Sequence, residues 1–229
     1  MADKIEETGS LFEGLEAEGG GWDLEQWAWA RGYGRVAGVD EAGRGPLAGP
    51  VAAAAVVLDP GRTYPGVDDS KKLSPEQRER AFGLICREAL AVGLGLAWPE
   101  EIDRDNILAA ALKAMARAVL TLSPAPDFLL VDGNFPAPLP LPQKPVVRGD
   151  GLSVSIAAAS IVAKVVRDRL MEAYHRSFPQ YGFARHKGYA TRGHLEALKD
   201  HGPCRIHRHS FQGVTLGRRT GRDEPGWLF

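Results

Sequence analysis

Residues 39–51 read Val39-Asp40-Glu41-Ala42-Gly43-Arg44-Gly45-Pro46-Leu47-Ala48-Gly49-Pro50-Val51. The stretch joins two apolar runs suited to buried strands, Val36–Asp40 and Val51–Leu58, through a turn rich in glycine and proline. Asp40 and Glu41 therefore stand side by side at the end of a strand. Carboxylates at the edge of a core cost free energy unless a cation meets them. Oxygen donors suit magnesium or manganese, and neither histidine nor cysteine stands nearby. Gly43 and Gly45 let backbone approach a ligand closely, and Arg44 between them can meet a phosphate. Metal, phosphate and close backbone approach together point to phosphoester chemistry.

Outward from this turn the chain alternates elements. Asp23, read as an N-cap, starts a short helix to Arg31. Ser74-Pro75-Glu76-Gln77 combines a capping serine, a first-turn proline and a glutamine three residues on, which starts a helix to about Leu90. Ala91–Trp98 reads as a strand weakened by two glycines. Asn106–Leu122 has apolar residues at helical spacing and is stopped by Pro124 and Pro126. Phe128–Val131 is a buried strand ending on Asp132-Gly133, the proline-rich segment 136–145 an extended loop, and Val146-Val147 a short strand leading to Asp150. An alanine-rich helix runs from Ser153 to about Phe178, and a further helix lies near His194–Lys199. Three early strands followed by alternation predict a mixed sheet covered by helices.

Three apolar strands thus each end in acid: Asp40 with Glu41, then Asp132, then Asp150. As neighbours in one sheet they bring four carboxylates to its edge, a set able to hold two divalent ions for in-line phosphoryl displacement. Taken singly, Asp132 and Asp150 read equally well as ordinary Asp-Gly turns; their convergence beside the Asp-Glu pair favours the metal site.

Composition sets the outer bounds. The 229 residues, 25% charged and 44% hydrophobic, suit one sizeable core. The apolar stretch Leu47–Leu58 is too short to span a bilayer, and the acidic N-terminus has no secretory pattern, so a cytoplasmic location with no membrane partner is expected. Cys86 and Cys204 lack metal-ligand spacing. The net charge of −1 is unevenly spread: residues 1–34 hold eight acidic and two basic side chains, while residues 164–219 hold twelve Lys or Arg against four Asp or Glu. All six histidines lie in that basic third, and none stands out as a proton donor. A basic surface beside an acidic cluster suits a phosphate-tracking site, although charge alone favours the plainer reading of a solvated helical face.

The run VDEAGRGPLAGPV, then DDSKKLS at 68–74, VDG at 131–133, GD at 149–150 with SIAAASIVAKVVRD at 155–168, and HKGYAT at 186–191 together resemble the ribonuclease HII family. The likeness covers about residues 35–212. It implies a ribonuclease H-like α/β fold, a five-stranded mixed sheet flanked by helices with a helical C-terminal portion. It also implies cleavage of the RNA strand of RNA/DNA hybrids with Mg2+ or Mn2+, two ions during catalysis, and incision of DNA 5′ to an embedded ribonucleotide. The products would carry 3′-hydroxyl and 5′-phosphate ends.

By motif match, Asp40, Glu41, Asp132 and Asp150 would be the metal-binding catalytic carboxylates. Gly43, Arg44 and Gly45 would read the ribonucleotide 2′-hydroxyl, the group that separates RNA from DNA. Tyr189 would stack on the sugar at the RNA-to-DNA junction, and Ser70, Lys71, Lys72, Lys164 and Lys187 would meet backbone phosphates. Ribonuclease HIII shares the fold, but its extra N-terminal domain and final glutamate fit less well than the roughly 35 preceding residues and Asp150 here. A catalytically silent nucleic-acid-binding module is disfavoured by the full carboxylate set.

The expected organisation is an acidic arm with a short helix (1–34), the catalytic domain (35–212) and a polar tail with an apolar tip (213–229). The tip, Gly226-Trp227-Leu228-Phe229, weakly resembles peptides that dock on replication sliding clamps. No oligomerisation seam is evident, so a monomer is expected.

Overall fold

The computed structural model describes residues 21–214. The tip 226–229, with its expected clamp contact, lies outside the described residues, as do residues 1–20. The elements in chain order are α1 (Asp23–Trp29), β1 (Val36–Ala42), β2 (Val51–Val57), α2 (Pro75–Glu88), β3 (Ala91–Ala97), α3 (Pro99–Asp105) and α4 (Ile107–Leu120). There follow β4 (Phe128–Asp132), β5 (Gln143–Val146), α5 (Val154–Ser177), α6 (Phe183–His186) and α7 (Arg192–His201).

The sheet has five strands in the order β3-β2-β1-β4-β5. β2 runs antiparallel to β1 and β3, while β1, β4 and β5 are mutually parallel, so the expected mixed sheet is what forms. All seven residues of β2 are buried, because helices cover both faces. Side-chain alternation divides them. Val51, Ala53, Ala55 and Val57 join Ala110, Ala111, Ala114 and Ala118 of α4, whereas Ala54 and Val56 join Ala81 and Ile85 of α2 and Ala158, Ala159, Ile161 and Val162 of α5. The glycines of β3 are what let α4 sit so close: a Cβ on Gly93 or Gly95 would stand 2.1 Å from the carbonyl oxygen of Ala118 or Ala114.

The Ser74 capping box forms as expected, with the Gln77 amide N–H donating to Ser74 Oγ at 3.2 Å and Gln77 Oε1 accepting from the Ser74 amide at 2.7 Å. Three expectations are corrected. Trp22, not Asp23, occupies the N-cap of α1, and the helix docks into the core through Leu24, Glu25 and Ala28 rather than lying on its periphery. β5 covers Gln143–Val146 and not Val146-Val147, so residues 143–145 pair with β4 instead of continuing the loop; Pro145 is tolerated because β5 is an edge strand. Asp150 does not end a strand: it lies beyond β5 in a 3-10 turn, Gly149–Gly151, entered through Arg148 in the left-handed conformation and leading to the Ser153-capped helix. α3 and α6, seven and four residues long, are too short to show a periodic signal. Among the described residues no helix is long and apolar enough to cross a membrane.

Candidate active site

Parallel register builds the site. Val39 lies opposite Val131, the last pair of the β1–β4 ladder, so the next residues, Asp40 and Asp132, stand at one level. Asp132 ends β4, whereas β1, expected to stop at Asp40, runs on through Glu41 and Ala42 against β2. Asp40 and Asp132 continue the even-numbered face on which Val36, Phe128 and Leu130 pack against Ile156 of α5. Asp132 pairs with Val146, and the short turn beyond β5 returns Asp150 to the same edge. Ligands of open α/β sheets gather outside such carboxyl ends.

The acids feel one another. Asp40 is buried, and its Oδ1 accepts the Glu41 amide at 2.7 Å. Burial, and then the negative charges of Glu41 and Asp132, hold it well above the usual carboxylate range. Burial also raises Glu41, against the pull of the Arg44 guanidinium, whose Nη1 lies 3.4 Å from Oε1. Asp132 is raised by burial and by the charge of Asp150, although its Oδ1 accepts the Gly149 amide at 2.7 Å. Asp150 accepts from Lys71 Nζ at 2.8 Å.

A donor set of four carboxylates, three of them raised partly by neighbouring negative charge, fits a divalent cation, which would remove that repulsion. The Lys71 ammonium stands in for part of that charge at Asp150. Among the described residues no three His, Cys, Asp or Glu side chains are placed to hold a metal ion as they stand. Asp132 and Asp150 are instead held by the Gly149 amide and the Lys71 ammonium, the latter of which an incoming cation would have to displace at Asp150.

Beneath the glycine–arginine turn lie two residues that sequence reasoning missed. Arg167 and Arg208 are almost wholly buried. The partners of Arg167 are the carbonyls of Pro50 (3.0 Å) and Ala48 (3.2 Å). Those of Arg208 are the carbonyls of Gly43 (2.6 Å), Arg44 (2.9 Å) and Gly49 (2.8 Å). Gly43, at φ +98°, must be glycine, since a Cβ there would lie 1.9 Å from Arg167 Nε. A trans peptide points its N–H opposite to its C=O. With the carbonyls of Gly43 and Arg44 drawn inward to Arg208, the amides of Arg44 and Gly45 face the other way, out of the fold. An arginine in the apolar stripe Ala163, Arg167, Met171 of α5 was a readable signal for the first; Arg208 had none.

Tyr189 is half-exposed and borders this turn: a Cβ on Gly45 would meet its Cε1 at 3.6 Å. The Leu47 amide donates to the Gly188 carbonyl at 2.8 Å, tying the two loops together. The other expected phosphate contacts are less uniform. Lys72 is exposed near Asp68 (3.3 Å), whereas Lys164 pairs with Asp168 (2.7 Å) and Lys187 with Glu172 (2.6 Å). Ser70 is corrected: its side chain is buried and shares a hydrogen bond with Ser160 Oγ at 2.7 Å, so its hydroxyl faces the protein.

Comparison with solved structures fixes the class. Ribonuclease H2 from Pyrococcus horikoshii superposes with a TM-score of 0.71 at 26% identity, over 80% of this chain and 96% of that one. RNase HII from Archaeoglobus fulgidus, solved in complex with PCNA, gives 0.62 at 30% identity, over 72% and 87% of the two chains. The molecule is thus a nuclease of the ribonuclease H-like fold.

Sequence narrows the class further. Residues 37–214 match the family model of ribonuclease HII, and ribonuclease HII of Geobacter metallireducens is 59% identical over 193 residues, 84% of this chain and 91% of that protein. The chain belongs to the ribonuclease HII family, as its motifs implied. It is accordingly an endonuclease with ribonuclease H activity on RNA/DNA hybrids, and dependent on divalent metal ions.

Proposed function

We propose that the chain incises DNA 5′ to embedded single ribonucleotides as well as cutting the RNA strand of hybrids, leaving 3′-hydroxyl and 5′-phosphate ends. Asp40, Glu41, Asp132 and Asp150 would hold two divalent ions, magnesium or manganese. The observation that carries this reading is the convergence of four acids whose own charges raise one another's proton affinity. When bound, such a pair of ions lowers the pKa of an attacking water and stabilises charge on the scissile phosphate.

The protein's own residues position the substrate. The outward amides of Arg44 and Gly45 are donors for a ribose hydroxyl or a bridging phosphate; Gly45 presents no side chain on the Tyr189 side, while Gly43 serves by making room for Arg167 beneath the turn. The Arg44 side chain is half-exposed and adds a guanidinium for phosphate. Tyr189, against Gly45, offers an aromatic face to the sugar on the DNA side of the junction. Lys71 and Lys72 supply positive charge along the backbone, with Lys164 and Lys187 available on release from their acids. Substrates would be RNA/DNA hybrids and ribonucleotide-containing DNA, with roles in ribonucleotide and RNA-primer removal. The relative bound to PCNA supports a sliding-clamp contact by this chain too, for which the tip Gly226-Trp227-Leu228-Phe229 is the segment proposed from its sequence. A cytoplasmic monomer completes the reading.

The test uses a labelled DNA duplex with one ribonucleotide, an all-DNA duplex and a hybrid, in magnesium, manganese or chelator. Incision 5′ to the ribonucleotide only with metal, and none of all-DNA, is expected. Asp132→Asn should lose cleavage by at least about 100-fold, the scale of removing preorganised transition-state stabilisation, while retaining its melting transition and duplex binding. Cleavage surviving in Asp132→Asn would overturn the assignment of the carboxylates.

A further inference from the structure

Behind Tyr189 lies a chain of buried rings that the proposed reaction does not use. His194 of α7 and His207 are both almost wholly buried, and their Nε2 atoms lie 3.0 Å apart. The other nitrogen of His194, Nδ1, is 2.9 Å from the Tyr189 carbonyl oxygen. The other nitrogen of His207, Nδ1, is 2.9 Å from the Cys204 amide nitrogen and 3.2 Å from its Sγ and its carbonyl oxygen.

Donor and acceptor chemistry fixes every proton in this chain. A carbonyl only accepts, so His194 Nδ1 carries hydrogen, and in the neutral ring its Nε2 must then accept. His207 Nε2 therefore carries hydrogen and its Nδ1 accepts from the Cys204 N–H, its closest neighbour. Burial pushes the Cys204 thiol up to about 11, so that S–H is a second donor to the same nitrogen. The order runs in one direction: Cys204 N–H to His207, His207 to His194, His194 to Tyr189. His186 of α6 stacks on His194 at 4.6 Å and obeys the same logic, with Nε2–H donating to the Tyr181 carbonyl (2.7 Å) and Nδ1 accepting the Gly188 amide (3.2 Å).

We propose that His194 and His207 are positioning residues for the junction-reading Tyr189, a neutral and directional hydrogen-bond relay that fixes the 187–191 loop against the glycine–arginine turn. The inference rests on reading Tyr189 as the junction residue. One segment serves both loops: His207 bridges Ala48 and feeds the relay, while the adjacent Arg208 holds the carbonyls of Gly43, Arg44 and Gly49. The two halves of ribonucleotide recognition are thereby registered by consecutive residues.

A second proton breaks the order of the relay. On His194 Nε2 it would face the His207 N–H unless His207 turned to its other tautomer, whose Nδ1–H would give up the Cys204 amide at 2.9 Å for the longer contact with the Cys204 carbonyl at 3.2 Å. Burial lowers His194, and burial with the charge of His194 pushes His207 down to about 4. The titratable groups around the pair are His186, Tyr181, Cys204 and His209, with His201 of α7 against the Tyr181 ring. Since the folded-state affinity is depressed, the neutral pair contributes stability above the ordinary histidine pKa of about 6.5 that is lost as pH falls through the folded value.

The test compares cleavage of the single-ribonucleotide duplex with that of the hybrid in the full chain with magnesium. His194→Phe, which fills the space but donates nothing, should lower that ratio by about 10-fold through KM, the scale of one buried hydrogen bond. His194→Asn, whose amide N–H can reach the place of Nδ1–H, should restore most of it. Tyr189→Ala runs alongside. If Tyr189→Ala leaves the ratio unchanged, the junction reading itself fails; if it lowers the ratio and His194→Phe does not, the relay fails. Nitrogen-15 NMR of the wild-type rings is independent of any variant's folding. It should find His194 as the Nδ1–H tautomer, and His186 and His207 as Nε2–H, all neutral at about pH 6. The opposite tautomer, or ordinary titration, at His194 or His207 overturns the proposal.

Discussion

Arg208 donates four hydrogen bonds, all to the backbone carbonyls of Gly43, Arg44 and Gly49, and that choice of partner decides how the site is built. A guanidinium is a flat fork that can address three carbonyls at once; an ammonium is a point charge on a flexible stem. Arg208→Lys keeps the charge but cannot hold Gly43, Arg44 and Gly49 together, and each carbonyl left buried without a donor costs about 1–3 kcal/mol. The variant should therefore lose about 2–4 kcal/mol by urea denaturation and lose single-ribonucleotide cleavage more steeply than hybrid cleavage. Unchanged stability would show that the carbonyls find other donors and that Arg208 does not shape the turn. At this scale Asp40, Glu41 and Asp132 were legible in the sequence because they directly follow apolar runs, a pattern that needs no knowledge of distant residues. Asp150 stands beyond Arg148 and Gly149 in a 3-10 turn and was picked out by its nearness to Val146-Val147. The buried arginines and histidines were not, because their partners are backbone carbonyls and ring nitrogens: Arg208 reaches Gly43 across 165 positions. A carbonyl carries no residue signature that a sequence could display.

Between elements, the same difficulty explains why α1 reads as an appendage and folds as a cap. Its seven residues are too few to show an amphipathic stripe, and its N-cap Trp22 makes no side-chain cap hydrogen bond. What holds it is Glu25, whose Oε1 accepts from Ser153 Oγ (2.5 Å), Ser155 Oγ (2.5 Å) and the Ser155 amide (3.0 Å) at the start of the 24-residue α5. A carboxylate there satisfies an orphan N–H and meets the positive end of the helix dipole. Trp27 and Tyr33, packed on Phe128, complete the docking. Glu25→Ala should lose about 2 kcal/mol of stability, and Glu25→Gln less, since an amide oxygen still accepts and only the charge term of about 0.3–1 kcal/mol goes. Equilibrium urea unfolding measures both. Coincident curves for the alanine variant and wild type would return α1 to the periphery. Strand and long-helix positions were readable because periodicity and caps are local; β5 was read as Val146-Val147 instead of Gln143–Val146 because edge position, which excuses Pro145, is a property of the finished sheet.

For the molecule as a whole, four acids at one sheet edge mean that the site works against the stability of the fold that carries it. The balance can be measured by removing one charge in each of two places. Asp40 is buried beside Glu41 and Asp132, so neutralising it removes repulsion in a setting of low dielectric. Asp103 is the converse. Burial opposes its charge, yet hydrogen bonds from Ser210 and His209 hold it below the usual range and join α3 to the Arg208 segment. Either change to asparagine takes the net charge from −1 to zero, so a whole-molecule charge effect would move both variants alike. We expect opposite signs in chelator. Asp40→Asn should melt a few degrees above wild type, since 1 kcal/mol corresponds to about 2–4 °C for a chain of this size, and Asp103→Asn should melt below it. Adding magnesium should raise the wild-type melting temperature and narrow its gap to Asp40→Asn, because a ligand that binds only the folded state stabilises it; Asp40→Asn itself should respond weakly and cut nothing. If Asp40→Asn instead melts below wild type in chelator, the acids are satisfied within the fold, and repulsion among them is not what prepares the site for a cation.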